Sequence, residues 1–326
     1  MSLVTILENK EFIVNTVLNK DLNIDAVIAN NLSKQYEMMW KNLNKNTLKN
    51  FHQTMLHGDE LISAYYKHAF SHNYIALMDE IYEVLDAKIK HDNYIAGETT
   101  DKETFNKRGA LIDKEMFNKR RALILEELID VYHFILEFSA ISTEIGLVSL
   151  YSKQSELFTY DKLTDLLTNN VSFYEDVHKL CELRGNHIQA ELELKLYDFD
   201  YLSTDVDDYM HELSRLARNF IRECNFKDWK VYDKEFYTTF KQTELNLLSR
   251  LLYYPFIKAF GSYIYEAYDI FELKDCYKNT EDINKNIFRL INAIYLSKRK
   301  ENIRRQNNDP RYTGKLDGVI IGQEVK

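Results

Sequence analysis

Residues 121–136 read RALILEELIDVYHFIL, and the apolar positions Leu125, Leu128, Ile129 and Tyr132 recur at steps of three and four. That spacing lines one side of a helix, because about 3.6 residues complete a turn. The same period returns at Leu77, Ile81, Val84 and Leu85, and over most of the remaining chain. With 9 Gly and 2 Pro in 326 residues, the sequence carries far fewer turn formers than the roughly 39 that average usage would supply. The reading is therefore all-α, a helical bundle, and a turn-rich β-sandwich or barrel is excluded.

Working outward from this segment, the periodicity predicts helices near 4–19, 31–43, 59–91, 115–143, 154–168, 171–195, 204–223, 233–272 and 281–307. Thr204 with Asp207, and Asn279 with Asp282, have the spacing of helix starts, and Pro255 is expected to kink or break the eighth helix. Hydrophobic residues make up 45% of the chain and charged residues 29%, enough apolar material for a sizeable core. Lys and Arg number 42 against 51 Asp and Glu, a net charge of -9, which argues against polymeric nucleic acid as a partner. Cys181, Cys224 and Cys276 form no C-x-x-C pair and are read as buried thiols of a cytoplasmic protein. The first residues, MSLVTILENKEF, lack a basic leader, and no run approaches the roughly 18 apolar residues of a membrane span. The expectation is a soluble chain with no membrane partner.

Asp101–Ile112 reads DKETFNKRGALI and Asp113–Ile124 reads DKEMFNKRRALI, with ten of twelve positions identical. Twelve residues turn a helix through about three turns plus roughly 120°, so two copies in one helix would face different ways. The second copy runs into the periodic segment and is assigned to the helix; the first, with Gly109, is assigned to a loop.

Two acidic columns stand out. Residues 78–86, MDEIYEVLD, set Glu80 and Glu83 three apart with Asp86 one turn on, and residues 126–134, EELIDVYHF, set Glu127, Asp130 and His133 likewise. Ile124, Leu125, Leu128, Val131 and Phe134 leave little polar face around the second column, so its acids are expected to point inward or into a cleft. Anions buried together cost several kcal/mol each unless cations neutralise them. Four carboxylates without clustered His or Cys make a hard, all-oxygen donor set, suited to Mg²⁺ or Mn²⁺ rather than zinc. Near the carboxyl end, residues 298–308 read KRKENIRRQNN. Lys298, Asn302 and Arg305 share a helical face there, a cation, amide and cation row suited to a polyphosphate, with Arg299 expected to face solvent.

In order and spacing, Glu80, Glu83 and Asp86, then Glu127, Asp130, His133 and Phe134, then Lys298, Asn302, Arg305, Gln306 and Asn308 resemble the motifs of the all-α dimeric dUTPases, within the MazG-like nucleotide pyrophosphatases. The resemblance implies a single all-α domain over 1–326, with a helical insertion around 150–240 and a nucleotide-closing arm at 306–326. It implies a homodimer that hydrolyses a deoxynucleoside triphosphate, dUTP first and dCTP or a modified pyrimidine second, to the monophosphate and pyrophosphate. Glu80, Glu83, Glu127 and Asp130 would hold Mg²⁺, two ions or more. Lys298, Asn302, Arg305 and Asn308 would bind substrate, and Tyr312 and Lys315 would belong to the arm. Glu83 is the acid assigned as general base, His133 is read as structural, and Gln35 is the candidate for reading the base. Where the family carries an aromatic and basic run of the Trp-Lys-x-Trp-Lys kind, this chain reads Lys88-Ile89-Lys90-His91-Asp92-Asn93-Tyr94, and Asp309-Pro310-Arg311-Tyr312 replaces the family's Gly-Tyr. From another class, a helical regulatory protein that retains a nucleotide site fits the same motifs.

If the first repeat copy is connection rather than core, deleting Asp101–Ile112 should cost less than about 1 kcal/mol in urea unfolding, because closure entropy changes slowly with loop length. Loss of folding on deletion would make that copy a structural element.

Overall fold

The computed structural model describes residues 5–19, 21–40, 47–48, 51, 55–100, 110–196, 205–223, 249–273 and 280–308. In chain order the helices are α1 (Thr5–Glu8), α2 (Lys10–Leu18), α3 (Val27–Met38), α4 (Gly58–Thr100), α5 (Ala110–Ser152), α6 (Tyr160–Thr168), α7 (Val171–Leu196), α8 (Val206–Glu223), α9 (Tyr253–Ser262), α10 (Ile264–Phe271) and α11 (Thr280–Asn308). No strand occurs among the described residues, and the protein is an all-α bundle.

Two 43-residue helices, α4 and α5, form the axis of the bundle. Their cross-contacts run in opposite directions along the chain. Arg120 Nη1 donates to the Lys90 carbonyl at 2.7 Å and Phe117 lies 5.1 Å from the His91 ring. Farther along, Asn73 Nδ2 donates to the Phe134 carbonyl at 3.1 Å, Phe70 stacks on Phe138, and the Tyr66 hydroxyl donates to Glu144 at 2.7 Å. The partner number falls as the residue number rises, so the pair is an antiparallel hairpin. That register brings residues near 80 opposite residues near 128.

The remaining helices close around the hairpin. α8 presents Met210, Leu213, Ala217 and Phe220 at helical spacing, and Phe220 seats its ring against both Phe70 and Phe138. α11 buries Ile287, Leu290, Ile291, Ile294 and Tyr295, and its Arg289 ties it to the carbonyls of Val17 and Asn19. The stretch expected as an insertion contributes α6, α7 and α8, which share one hydrophobic core with the hairpin. In α7, Arg184 reaches Ser139 O at 3.2 Å and the Thr143 hydroxyl at 3.0 Å, and it also donates to Ser249.

Several boundaries differ from the periodicity, each for a local reason. α3 begins at Val27 rather than 31, led in by a 3-10 turn, Ile24–Ala26, that the Asn23 side chain caps at the Asp25 N–H, and held by Gln189 of α7, which accepts from the Ile28 N–H at 2.9 Å and donates to the Ile24 carbonyl. α5 runs to Ser152 rather than 143, since Ser142, Thr143 and Ser149 return their hydroxyls to the carbonyls of Phe138, Ser139 and Ile145 and so satisfy themselves within the helix. α6 starts at Tyr160 rather than 154, with the Thr159 side chain capping Lys162 N–H. Helix breaks at Leu252 and resumes as α9 with Pro255 in its first turn, where a missing N–H costs nothing. The second repeat copy lies in α5, which starts at Ala110 and so takes in Ala110–Ile112 of the first. Residues 101–109, with the loop assignment, lie outside the described residues. The Glu115–Ser152 stretch is long and apolar enough to cross a membrane, yet most of it is buried among the other helices, as a central core helix would be.

At the α3–α7 crossing, Gly185 lies so close to Ala29 that a Cβ there would overlap the Ala29 and Ile28 backbone. Backbone cannot rotate away as a side-chain tip can. Gly185→Ala should therefore cost at least about 2 kcal/mol in urea unfolding by forcing the helices apart; an unchanged midpoint would refute the close approach.

Candidate functional site

The hairpin register sets the two acidic columns face to face. Oxygens of Glu80, from α4, and of Glu127 and Asp130, from α5, all lie within 4.8 Å of one another, and all three residues are half-buried. The apolar residues around them, Leu77, Ile81, Leu128, Ile129 and Val131, are buried and explain why these acids share so little water. Burial, then the neighbouring Asp130 and Glu83 charges, raises the Glu80 carboxyl to about 7. Burial, with Asp130 the main charged neighbour, raises Glu127 to about 8, against the pull of Lys298.

Lys298 of α11 relieves part of this repulsion. Its ammonium lies 2.7 Å from Asp130 Oδ2 and 2.9 Å from Glu126 Oε1, and the residue is 7% exposed. Burial alone would lower its pKa, yet the Asp130 and Glu126 charges outweigh that and raise it. His133 is buried against the Tyr295 ring, with Nδ1 on the Ile129 carbonyl at 2.9 Å. Burial pushes the imidazole down to about 4, so it is neutral and sits as a packing element.

Of the residues singled out in the sequence, Glu80, Glu127, Asp130 and Lys298 come together. Glu83 is exposed and stands outside the trio, though its charge acts on both Glu80 and Glu127. Asp86 is exposed and pairs with Lys90. Asn302, Arg305 and Asn308 continue α11 beyond Lys298 as helix, whereas Tyr312 and Lys315 lie outside the described residues. Gln35 is fully buried, with Nε2 on Glu137 at 2.9 Å and Oε1 accepting from the Tyr295 hydroxyl at 3.1 Å.

One expectation is corrected. Arg299 does not face solvent: its guanidinium lies 3.3 Å from Glu37 Oε2 and donates to the Lys34 carbonyl, with 18% of the side chain exposed. The reason is α3, which packs on the face of α11 that a lone helix would leave open. Sequence reasoning also passed over Glu126, although it stands four residues from Asp130 and so shares its face, which is what lets one lysine reach both.

No family model matches the sequence, and neither curated proteins nor solved structures give a match. The donor chemistry is thus the test of whether a metal fits. Oxygens around one Mg²⁺ lie at most about 4.2 Å apart, twice the usual metal–oxygen distance. The trio's 4.8 Å span is within a small side-chain adjustment of that, and its oxygens are hard anionic donors whose raised pKa values register unmet demand for positive charge. The residues fit a small divalent cation.

The fold favours the neutral form of Glu127. Its folded pKa lies above the ordinary 4.5, so its contribution to stability is full below that value and is lost as pH rises toward about 8. Glu127→Gln should then raise the melting temperature of chelator-treated protein more at pH 8 than at pH 5. An equal difference at both pH values would place Glu127 in water.

Proposed function

We propose that this chain is a divalent-metal-dependent nucleotide pyrophosphohydrolase, which converts a deoxynucleoside triphosphate to the monophosphate and pyrophosphate. The observation that carries the reading is the convergence of Glu80, Glu127 and Asp130 from two helices beside Lys298 of a third. These are members of the three motifs whose order and spacing resemble the dimeric dUTPases, and that resemblance implies dUTP as substrate.

Glu80, Glu127 and Asp130, with Glu83 at the rim, would hold Mg²⁺ or Mn²⁺. Such an ion supplies a Lewis acid that polarises phosphoryl oxygens and acidifies water. Glu83, the exposed member, would take a proton from an attacking water. Lys298 pairs with Glu126 and Asp130, and with a divalent ion held by Asp130 its ammonium would be free to meet a phosphate oxygen. Arg305 and Asn302, one to two turns farther along α11, would take the leaving pyrophosphate, and Asn308, Tyr312 and Lys315 would close over the nucleotide. A homodimer, a cytoplasmic location and a nucleotide rather than polymeric partner belong to the same reading.

One observation favours a nucleotide-binding regulatory protein instead: Lys298 already offsets part of the cluster's charge without a metal. Turnover decides between them. Purified protein should release pyrophosphate, not orthophosphate, from a pyrimidine deoxynucleoside triphosphate when Mg²⁺ is present. Asp130→Asn should abolish release, while Asp208→Asn, on the exposed start of α8, should leave it within about twofold of wild type. No release from any common or uracil-containing dNTP would end the hydrolase reading.

A further inference from the structure

The pyrophosphohydrolase reading leaves Glu126 without a part, although it lies against the site. Glu126 and Asp130 are four apart on α5 and share a face, while Glu127 is turned about 100° from Glu126. Glu126 accordingly stands outside the trio of Glu80, Glu127 and Asp130. It is 7% exposed, and its Oε1 takes the Lys298 ammonium at 2.9 Å. Its Oε2 is buried with no hydrogen-bond partner among the described residues. A pair that served only to clasp α5 to α11 would satisfy both oxygens, because a buried carboxylate oxygen without a donor costs more than an ordinary hydrogen bond returns.

Lys298 therefore stands between two acids of different standing. Asp130, 2.7 Å from the ammonium, belongs to the trio whose oxygens fit a small divalent cation; Glu126 does not. With an ion on Asp130, two cations would share one carboxylate, and like charges held that close repel strongly away from water. The ammonium is too deeply buried for solvent to absorb that repulsion. It carries three donors, however, and the unused Oε2 of Glu126 is an acceptor on a carboxylate it already holds.

We propose that Glu126 is a positioning residue that retains the Lys298 ammonium beside the site when a divalent ion takes Asp130, so that metal and lysine can occupy the site together. The inference rests on the pyrophosphohydrolase reading for the metal and adds how the site accommodates two cations. Glu126 touches neither metal nor substrate in this account and acts only through the lysine. In its absence the ammonium would have Asp130 as its one remaining partner of the two, and would compete with the ion for that carboxylate. With it, the lysine gives up Asp130 without losing an anion, and the ion meets less resistance. A row of fixed cations along α11 then survives metal loading, which is what a phosphate chain bound between metal and helix requires.

The test is calorimetric titration of the metal-free full chain with Mn²⁺ alone, for wild type, Glu126→Gln, Glu126→Asp, Lys298→Met and the Glu126→Gln/Lys298→Met double variant, with melting temperatures for each. Lys298→Met should bind Mn²⁺ more tightly than wild type, since a competing cation is gone. Glu126→Gln should weaken Mn²⁺ by a factor at least about fivefold larger when Lys298 is present than when it is replaced. Whatever Glu126 contributes by its charge alone is common to both backgrounds and cancels in that comparison. Glu126→Asp keeps the carboxylate and should stay within about threefold of wild type. Equal factors in the two backgrounds, or a lower melting temperature for Glu126→Gln with Mn²⁺ affinity unchanged, would reduce the pair to a clasp and overturn the proposal while leaving the hydrolase reading in place. Absence of Mn²⁺ binding by every variant would overturn both. The expected coupling without turnover of any nucleotide would sustain the role of Glu126 and remove the hydrolase reading.

Discussion

The antiparallel packing of α4 on α5 governs what the rest of the molecule can do. Phe70 and Phe138 are fully buried and stacked across this seam, each contributing about 1.5–3 kcal/mol on transfer from water, and they hold the two helices in one register. A slip by one residue would rotate every side chain on the sliding helix by about 100° and turn the acids away from each other. The same apolar packing that fixes their meeting also strips water from Glu80 and Glu127, which is why their carboxyls rise to about 7 and 8. Geometry and charge at the site thus have one cause.

Setting like charges together works against folding, and the bundle offsets it with a lysine delivered from a distant part of the chain. Lys298 reaches Asp130 and Glu126 only because α11 is pinned along its length, by Arg289 at the chain ends of α2 and by Tyr295 against Asn31 and Gln35. Binding sites are commonly built from groups that stability alone would not select. Here the acids carry that cost, and Lys298 moderates it at the place where a divalent ion would do so more fully.

How much of this was legible in the sequence follows from how local each signal is. Glu80 with Glu83, and Glu127 with Asp130, are three apart in the chain, so their shared faces could be read directly; that the two faces meet depends on a register set by aromatic packing tens of residues away. The role of Lys298 as partner to two acids was hidden for the same reason, since Glu126 looks like one more charged residue until α11 is in place. α3 begins where Asn23 caps the turn before it and a side chain 161 residues distant holds its first N–H groups, and only the first of these is a local pattern.

The hairpin separates two properties that usually conflict. From Glu80 to the end of α4 at Thr100 is about 30 Å of helix, and the repeated segment begins beyond it. Chain added between the far ends of two long helices leaves the seam near the acids unchanged, so length there is decoupled from register at the site. The tip is thus a natural port for grafted cargo: a fluorophore-bearing peptide or affinity epitope spliced between Thr100 and Ala110 would report on the bundle from a distance without touching the carboxylates.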